Sequence, residues 1–401
     1  MLKAELKKFV SPFLFLIAVL ISLVLYHTEI SFIYHYFPNG AGVPIFNYTL
    51  KWQEEFGSKM TDENFQKVEE DYQKLIKETD EIVAASSYGK ERNLKSYQDF
   101  EDWRESIPGE RRDELNEEEE KEWDALAEFI QKPQFMEIEG YKNIQDGLAR
   151  FTSEKSFYQD RLVSSEKKKL LNDVVFEKES WRNILPEGFP GTVSAMIATI
   201  LILGMIVMAL FLPTPFVKDT MLKIKSLQWA SRKGRSLVAT QYIATQLASF
   251  VILTGVLCLF LLPLVKTNLA QFFNNGLNSF FTESFATADY SLFDFNVSGW
   301  MWLLILLVYL IGLSFSSVLF FTAQHSKNYF SLLLKVIPLL TFYIIVGNQM
   351  VSRGFYINNY FYKKTGILWI EMYLAVLLFI VGIVIGMIPI FTSRKQDLLT
   401  E

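Results

Sequence analysis

Residues 188–217 read GFPGTVSAMIATILILGMIVMALFLPTPFV and contain no Asp, Glu, Lys or Arg. A helix needs roughly 20 apolar residues to cross ~30 Å of hydrocarbon, so this stretch predicts a membrane span. Comparable windows cover residues 9–26, 236–265, 295–324, 329–347 (interrupted only by Lys335) and 372–393. The sequence therefore predicts an all-α, polytopic membrane protein with six transmembrane helices.

The windows and the segments between them set the predicted domain organisation. An amphipathic N-terminus and the first span occupy 1–27, and the apolar run to Tyr26 has no small-x-small cleavage site, which favours an uncleaved signal anchor. The other spans are placed at 191–213, 237–265, 298–323, 329–347 and 368–392. The connecting segments are 28–190, 214–236, 266–297 and 348–367, with a tail at 393–401.

Charge is segregated along the 401-residue chain. Residues 28–190 contain 22 Lys and Arg against 36 Asp and Glu, and the remainder contains 17 against 8, so segments of −14 and +9 make up the overall −5. An apolar, basic frame with an acidic insert excludes a simple cytosolic enzyme, a disordered chain and a nucleic-acid binder that depends on global charge. No nucleic-acid partner is expected.

The acidic insert has helical periodicity. Apolar residues recur three and four positions apart, as in Phe65, Val68, Tyr72 and Leu75, and breaks fall at glycines and prolines. We predict four or five amphipathic helices in 28–190, with little or no sheet, inserted between the first and second spans. The single cysteine, Cys258, lies in an uncharged stretch and is predicted to be a small buried hydrophobe.

The distribution of Lys and Arg predicts the orientation. With the N-terminus inside, the short inner segments carry twelve basic residues and the short outer segments carry four. Basic residues concentrate in cytoplasmic loops. Both termini are therefore predicted to be cytoplasmic, and residues 28–190 extracellular. The aromatic-rich segment 348–367 is expected to form an outer re-entrant segment with a short pair of helices.

The sequence contains no motif for catalysis. It has no HExxH zinc pair, no GxSxG elbow and no GxxxxGK[ST] phosphate loop, so we expect no enzyme, no metal and no cofactor bound by this chain. Lys335 and Glu371 are charged residues within or beside spans. Such charges are candidates for a functional role. Snorkelling to an interface is the simpler interpretation of both, and a proton or ion relay is the alternative.

The inner segment 214–241, TPFVKDTMLKIKSLQWASRKGRSLVATQ, is amphipathic and basic. Two interpretations stand. One is an interfacial helix held by Lys and Arg at anionic headgroups. The other is a coupling helix, whose apolar side inserts into a groove on a partner protein.

Within this segment Asp219, Leu227-Gln228-Trp229 and Ser231-Arg232-Lys233-Gly234-Arg235 resemble the inner loop of the permease subunit of type-2 class ABC exporters. The layout is similar to the Gram-positive bacterial form with a large extracellular domain, although Gln241 replaces a basic residue common in that family. The resemblance implies coupling to an ATPase through a set of loop residues. These are Asp219, Leu222, Leu227, Trp229, Arg232, Lys233, Gly234 and Arg235.

The resemblance also implies partners and a location. A separate nucleotide-binding subunit would hold ATP and Mg and hydrolyse the ATP, and a second, identical or related permease would complete the path through the bilayer of the bacterial cell membrane. The expected function is export of an amphipathic substrate such as an antimicrobial peptide, lipid or drug. The alternative is a membrane receptor whose extracellular helical domain binds a peptide and signals through a partner.

Overall fold

The computed structural model describes residues 1–35, 37–39, 42–106, 117–153, 165–224, 236–279 and 290–393. Within these residues the regular secondary structure is helical, and the only extended pairings are three isolated bridges. The α-helices in chain order are α1 Leu2–Lys8, α2 Pro12–Leu25, α3 Ser31–His35, α4 Gly42–Phe56, α5 Asp62–Ala85, α6 Ser87–Glu91, α7 Tyr97–Ser106, α8 Glu117–Ile130, α9 Pro133–Ser153, α10 Ser165–Leu171, α11 Phe189–Phe211, α12 Thr214–Met221, α13 Leu237–Leu261, α14 Val297–Gln324, α15 Tyr329–Val351, α16 Tyr360–Thr365 and α17 Ile370–Ser393.

Among the described residues, six helical segments are long and apolar enough to cross a membrane, which confirms the predicted number of spans and supports a multi-pass membrane protein. We name spans 1 to 6 by their main helices α2, α11, α13, α14, α15 and α17. The 23 residues of α11 alone extend about 35 Å at 1.5 Å per residue. Span 1 continues from α2 through a π-helical turn, Tyr26–Ile30, into α3.

The chain divides into two compact units. Unit 1 comprises residues 1–37, 188–274 and 289–401 and contains all six spans, whereas unit 2 comprises 38–187 and 275–288. Unit 2 begins at residue 38. The helix of span 1 continues to His35, with the polar His27 and Glu29 exposed on it.

Span 4 is the centre of unit 1. It packs against spans 2, 3, 5 and 6, and its Ile311, Phe315 and Leu319 are fully buried. Small residues allow close approach, since Gly312 of span 4 faces Leu253 of span 3. Cys258 of span 3 is exposed, so its predicted burial is wrong. A small, weakly polar thiol is tolerated on an apolar helix surface as readily as in a core.

Unit 2 is a helical unit built on α4 to α10, which confirms the predicted helical class, with seven α-helices among its described residues where four or five were predicted. Its main apolar core includes Val83, Phe100, Phe129 and Phe135. A second centre is Tyr141 of α9, whose ring stacks on Tyr72 at 4.4 Å and whose hydroxyl donates to the Val68 carbonyl. The predicted stripe on α5 therefore faces inward, as its spacing indicates.

Part of the predicted 266–297 connection belongs to unit 2. The Asn275 amide donates to the Gln53 side chain at 2.6 Å and to the Ile184 carbonyl. The Asn183 amide donates to the Asn278 carbonyl at 3.1 Å. These hydrogen bonds join residues far apart in sequence, so no local pattern predicts them.

Candidate functional site

The short helix α12 follows span 2 and carries the first residues of the predicted coupling segment. Pro213 ends span 2 and Pro215 lies in the first turn of α12, where a missing N–H costs no hydrogen bond. Phe216 is buried, and its ring meets Phe9 at 5.8 Å and Phe320 of span 4 at 5.3 Å, both edge to face. Aromatic packing of this kind fixes α12 against the spans.

An ion-pair cluster joins α1 to α12. The Lys8 ammonium lies 2.7 Å from an Asp219 carboxylate oxygen and 3.1 Å from a Glu5 oxygen. Glu5 is only 5% exposed, and its second oxygen, Oε2, has no hydrogen-bond partner among the described residues. Lys8 is thus the counter-ion for a carboxylate that the fold has removed from water.

The pKa of Lys8 reflects two opposing causes. Burial lowers it, but hydrogen bonds and charge attraction from Asp219 and Glu5 outweigh burial, so the pKa lies above its ordinary value of 10.5. A raised folded-state pKa stabilises the fold fully below the unfolded value, and this contribution disappears as the pH rises through the folded value. The cluster is therefore at full strength at neutral pH.

The structure places two of the eight predicted coupling residues. Asp219 lies in the ion-pair cluster, and Leu222 follows the end of α12 with 58% of its surface exposed, next to Met221 at 51%. Leu227, Trp229, Arg232, Lys233, Gly234 and Arg235 lie outside the described residues. The described part is thus a platform of α1 and α12, with two exposed apolar side chains at its edge.

A polar seam connects this platform to spans 3, 4 and 6. Tyr242 of span 3 packs against Phe320 at 5.5 Å, and its hydroxyl lies 3.1 Å from Ser317 of span 4. The Gln324 amide donates to the side-chain oxygen of Gln241 at 3.1 Å. The Gln241 that departs from the family pattern therefore makes a buried bond between spans, where an unpaired cation would be costly.

Two glycines that the sequence interpretation missed lie on this seam. Gly382 and Gly386 of span 6 face the backbone of Ser314 and Ser317 in span 4. Their spacing is a G-x-x-x-G motif, a known signal for close helix packing in membranes. A search for that motif would have found them.

Lys335 and Glu371 have different environments. The Lys335 amine donates to the His325 carbonyl at 2.7 Å, so it reaches back to the turn between spans 4 and 5, which is a snorkelling arrangement. Glu371, by contrast, is buried, with 1% of its surface exposed. Its carboxylate accepts from the Phe355 backbone N–H at 3.3 Å.

The segment before span 6 is held in unusual backbone conformations. Arg353, Phe355 and Trp369 all have positive φ values, of 52°, 68° and 62°. Non-glycine residues adopt this region at a cost that surrounding contacts must offset. Here the contacts are the Glu371 carboxylate and a cluster of rings in which Phe293 lies 4.6 Å from Trp369.

The predicted pair of short re-entrant helices in 348–366 is a single helix, α16, preceded by turns. The Asn359 side chain donates to the Gln349 and Ser352 carbonyls at 2.9 and 3.2 Å and so caps the end of span 5. Burial, and secondarily the charge of Glu371, raises the pKa of Tyr362 in α16 to about 12. This tyrosine stays protonated at physiological pH.

Replacing Glu371 by leucine is expected to destabilise the protein by about 2 kcal/mol, because the Phe355 N–H would be buried without an acceptor. Glu371→Gln keeps an acceptor and should lose much less. Thermal unfolding in detergent, followed by tryptophan fluorescence, measures both. If the two variants melt at the same reduced temperature, the negative charge rather than the hydrogen bond stabilises this turn.

Among the described residues no group of three or more His, Cys, Asp or Glu is arranged to hold a metal ion. Comparison of the chain with protein-family models, with curated proteins and with solved structures finds no match. The function must therefore be inferred from the residues and contacts of the chain itself.

Proposed function

We propose that the chain is the permease subunit of an ATP-driven ABC exporter that moves an amphipathic molecule across the bacterial cell membrane. The observation that carries the proposal is the platform of α1 and α12, which presents the exposed apolar side chains of Met221 and Leu222. In the sequence the basic segment 225–235 follows them. Exposed apolar side chains on a packed platform suit a surface that docks a partner.

The contacts of α12 support a role in transmitting movement. Its Phe216 ring touches Phe320, which in turn packs on Tyr242, so α12 is connected to spans 3 and 4 through rigid rings. The Lys8 and Asp219 pair adds α1 to the same body. A displacement at the end of α12 would move packed side chains rather than flexible ones.

The proposal assigns ATP hydrolysis and substrate passage to different chains. ATP and Mg would bind to a separate nucleotide-binding subunit, and a second, identical or related permease would complete the substrate path. Both termini and the platform would face the cytoplasm, in line with the concentration of Lys and Arg in the inner segments. Unit 2 would lie outside and gate the path, capture the substrate or dock it.

The test is co-purification with an ATPase expressed from a neighbouring gene. The double variant Met221→Asp/Leu222→Asp is expected to reduce the retained ATPase about tenfold or more, because two charges would enter an apolar contact. Leu227→Asp/Trp229→Asp should have a similar effect. Met136→Asp in unit 2, also at an exposed methionine, is the matched control and should retain the ATPase.

Two results would contradict the proposal. One is that no ATPase with a phosphate loop is retained by the native chain. The other is that all the charged variants retain the ATPase as well as the native chain does. Retention of a signalling partner in place of an ATPase would favour the receptor alternative.

A further inference from the structure

Unit 1 contains a large apolar groove between spans 1, 2 and 3. Its volume is about 1460 Å³. Typical small-molecule pockets measure ~300–1,000 Å³, so the groove is larger than a compact ligand requires. Its walls are almost entirely aliphatic and aromatic, and include Phe15 and Leu23 of span 1, Phe211 of span 2, and Val251 and Leu259 of span 3.

Contacts to span 3 lie at both ends of the groove, and the groove is open in the middle. At one end the Tyr34 hydroxyl donates to the Phe260 carbonyl, and the Tyr26 ring stacks on Phe260 at 6.1 Å. At the other end α1 packs against span 3, and Leu6 and Phe9 line the groove. Between these contacts span 1 leaves a gap to span 3.

The middle of the groove has space for another molecule. A Cβ added to Gly255 of span 3 would meet nothing within 4 Å. Phe15, Val251 and Leu259 are 65%, 67% and 62% exposed. Because the walls are span helices, the medium at this groove is lipid hydrocarbon and not water. An elongated, apolar cleft of this kind suits an acyl chain.

Charge at the α1 end indicates which lipid would fit. Lys3 and Lys7 are exposed, lie one turn apart, and make no ion pair among the described residues. Lys3 precedes the groove-lining Leu6 by three positions in α1, and Lys7 directly follows Leu6, so both lysines lie at the α1 end of the groove. Lys8 is already paired with Glu5 and Asp219, so Lys3 and Lys7 are the α1 cations that face an anionic headgroup.

We propose that this groove binds one anionic phospholipid, with an acyl chain between spans 1 and 3 and the headgroup phosphate at Lys3 and Lys7. The site is formed entirely by this chain. It therefore does not depend on the proposed transport function or on an ATPase.

Native mass spectrometry of the purified full chain, in micelles with equal amounts of phosphatidylglycerol and phosphatidylcholine, tests the proposal. Preferential retention of phosphatidylglycerol is expected. Lys3→Gln and Lys7→Gln should each weaken that retention about fivefold. Lys218→Gln, which removes an exposed cation from α12, is the matched control and should leave it unchanged.

Substitution of a small groove residue by a bulky one tests the groove itself. Gly255→Phe would fill the open middle and should reduce the retained lipid about tenfold. Cys258→Phe adds similar bulk to the same helix outside the groove and should have no effect. Photoactivatable phosphatidylglycerol should label residues 9–26 and 247–263.

Three results would overturn the proposal. These are equal retention of the two lipids, unchanged lipid binding by Gly255→Phe with native-like melting, and labelling spread evenly over spans 5 and 6. Cross-links between residues 9–26 of two copies, with the labelled lipid excluded, would also overturn it, because a second copy would then fill the groove.

Discussion

Gly382→Leu is expected to prevent correct packing of span 6 against span 4 and to abolish accumulation of the folded protein. A Cβ at position 382 would lie 2.5 Å from the Ser314 hydroxyl and 2.9 Å from the Ser314 Cα and carbonyl oxygen. Backbone atoms cannot rotate away as a side chain can, so the helices must separate. Overpacking usually costs about 1–3 kcal/mol, and a leucine against backbone lies at or beyond the upper end.

Separation of these helices would break more than one contact. The Ser314 hydroxyl donates to the Leu378 carbonyl of span 6 at 2.6 Å and lies 2.8 Å from the Tyr343 hydroxyl of span 5. A leucine at position 382 would displace Ser314 from both. Gly382→Ala should give a smaller loss, about 2 kcal/mol, because the methyl group still meets the backbone.

Gly255→Leu is the matched control for this prediction, since Gly255 is also inside a span helix but has no neighbour within 4 Å. Fluorescence size-exclusion chromatography and thermal melting in detergent measure both variants. Equal loss in the two would mean that glycine in a span, and not its contact with span 4, determines the outcome.

Lys8→Met is the second large expected effect, because it removes the counter-ion of a buried carboxylate. Glu5 would remain at 5% exposure with Asp219 nearby and no cation between them. Loss of one partner from a buried pair costs about 3–5 kcal/mol. Since a quarter of the Lys8 side chain is exposed, at 27%, the lower end of that range is expected.

A second substitution separates the ion pair from packing. Lys8→Met/Glu5→Gln removes the buried charge together with its partner and should recover most of the lost stability. Melting of the single and double variants at neutral pH gives the coupling energy. If Glu5→Gln does not restore the melting temperature, Lys8 acts through its aliphatic stem and not through its charge.

Hydropathy predicts the number of spans better than it predicts where each span ends. Six apolar windows, one of them containing Lys335, correspond to six span-length helices among the described residues, because a helix in hydrocarbon satisfies its own backbone hydrogen bonds and each apolar residue contributes locally. The limits of span 1 were harder to predict, since His27 and Glu29 interrupt the apolar run without ending the helix. The G-x-x-x-G motif at Gly382 and Gly386 is a local pattern that predicts close packing of span 6 against another helix.

The helical class, the number of spans and the separation of an acidic insert from a basic frame were predictable from the residues alone. These properties depend on residue types within short windows, so a linear reading is sufficient. Four features required the three-dimensional structure: Lys8 pairs with Glu5 and Asp219, Glu371 is buried against Phe355, residues 275–288 join unit 2, and spans 1 and 3 leave a groove. Each of these depends on which distant residues come together in the fold, and no local pattern specifies that.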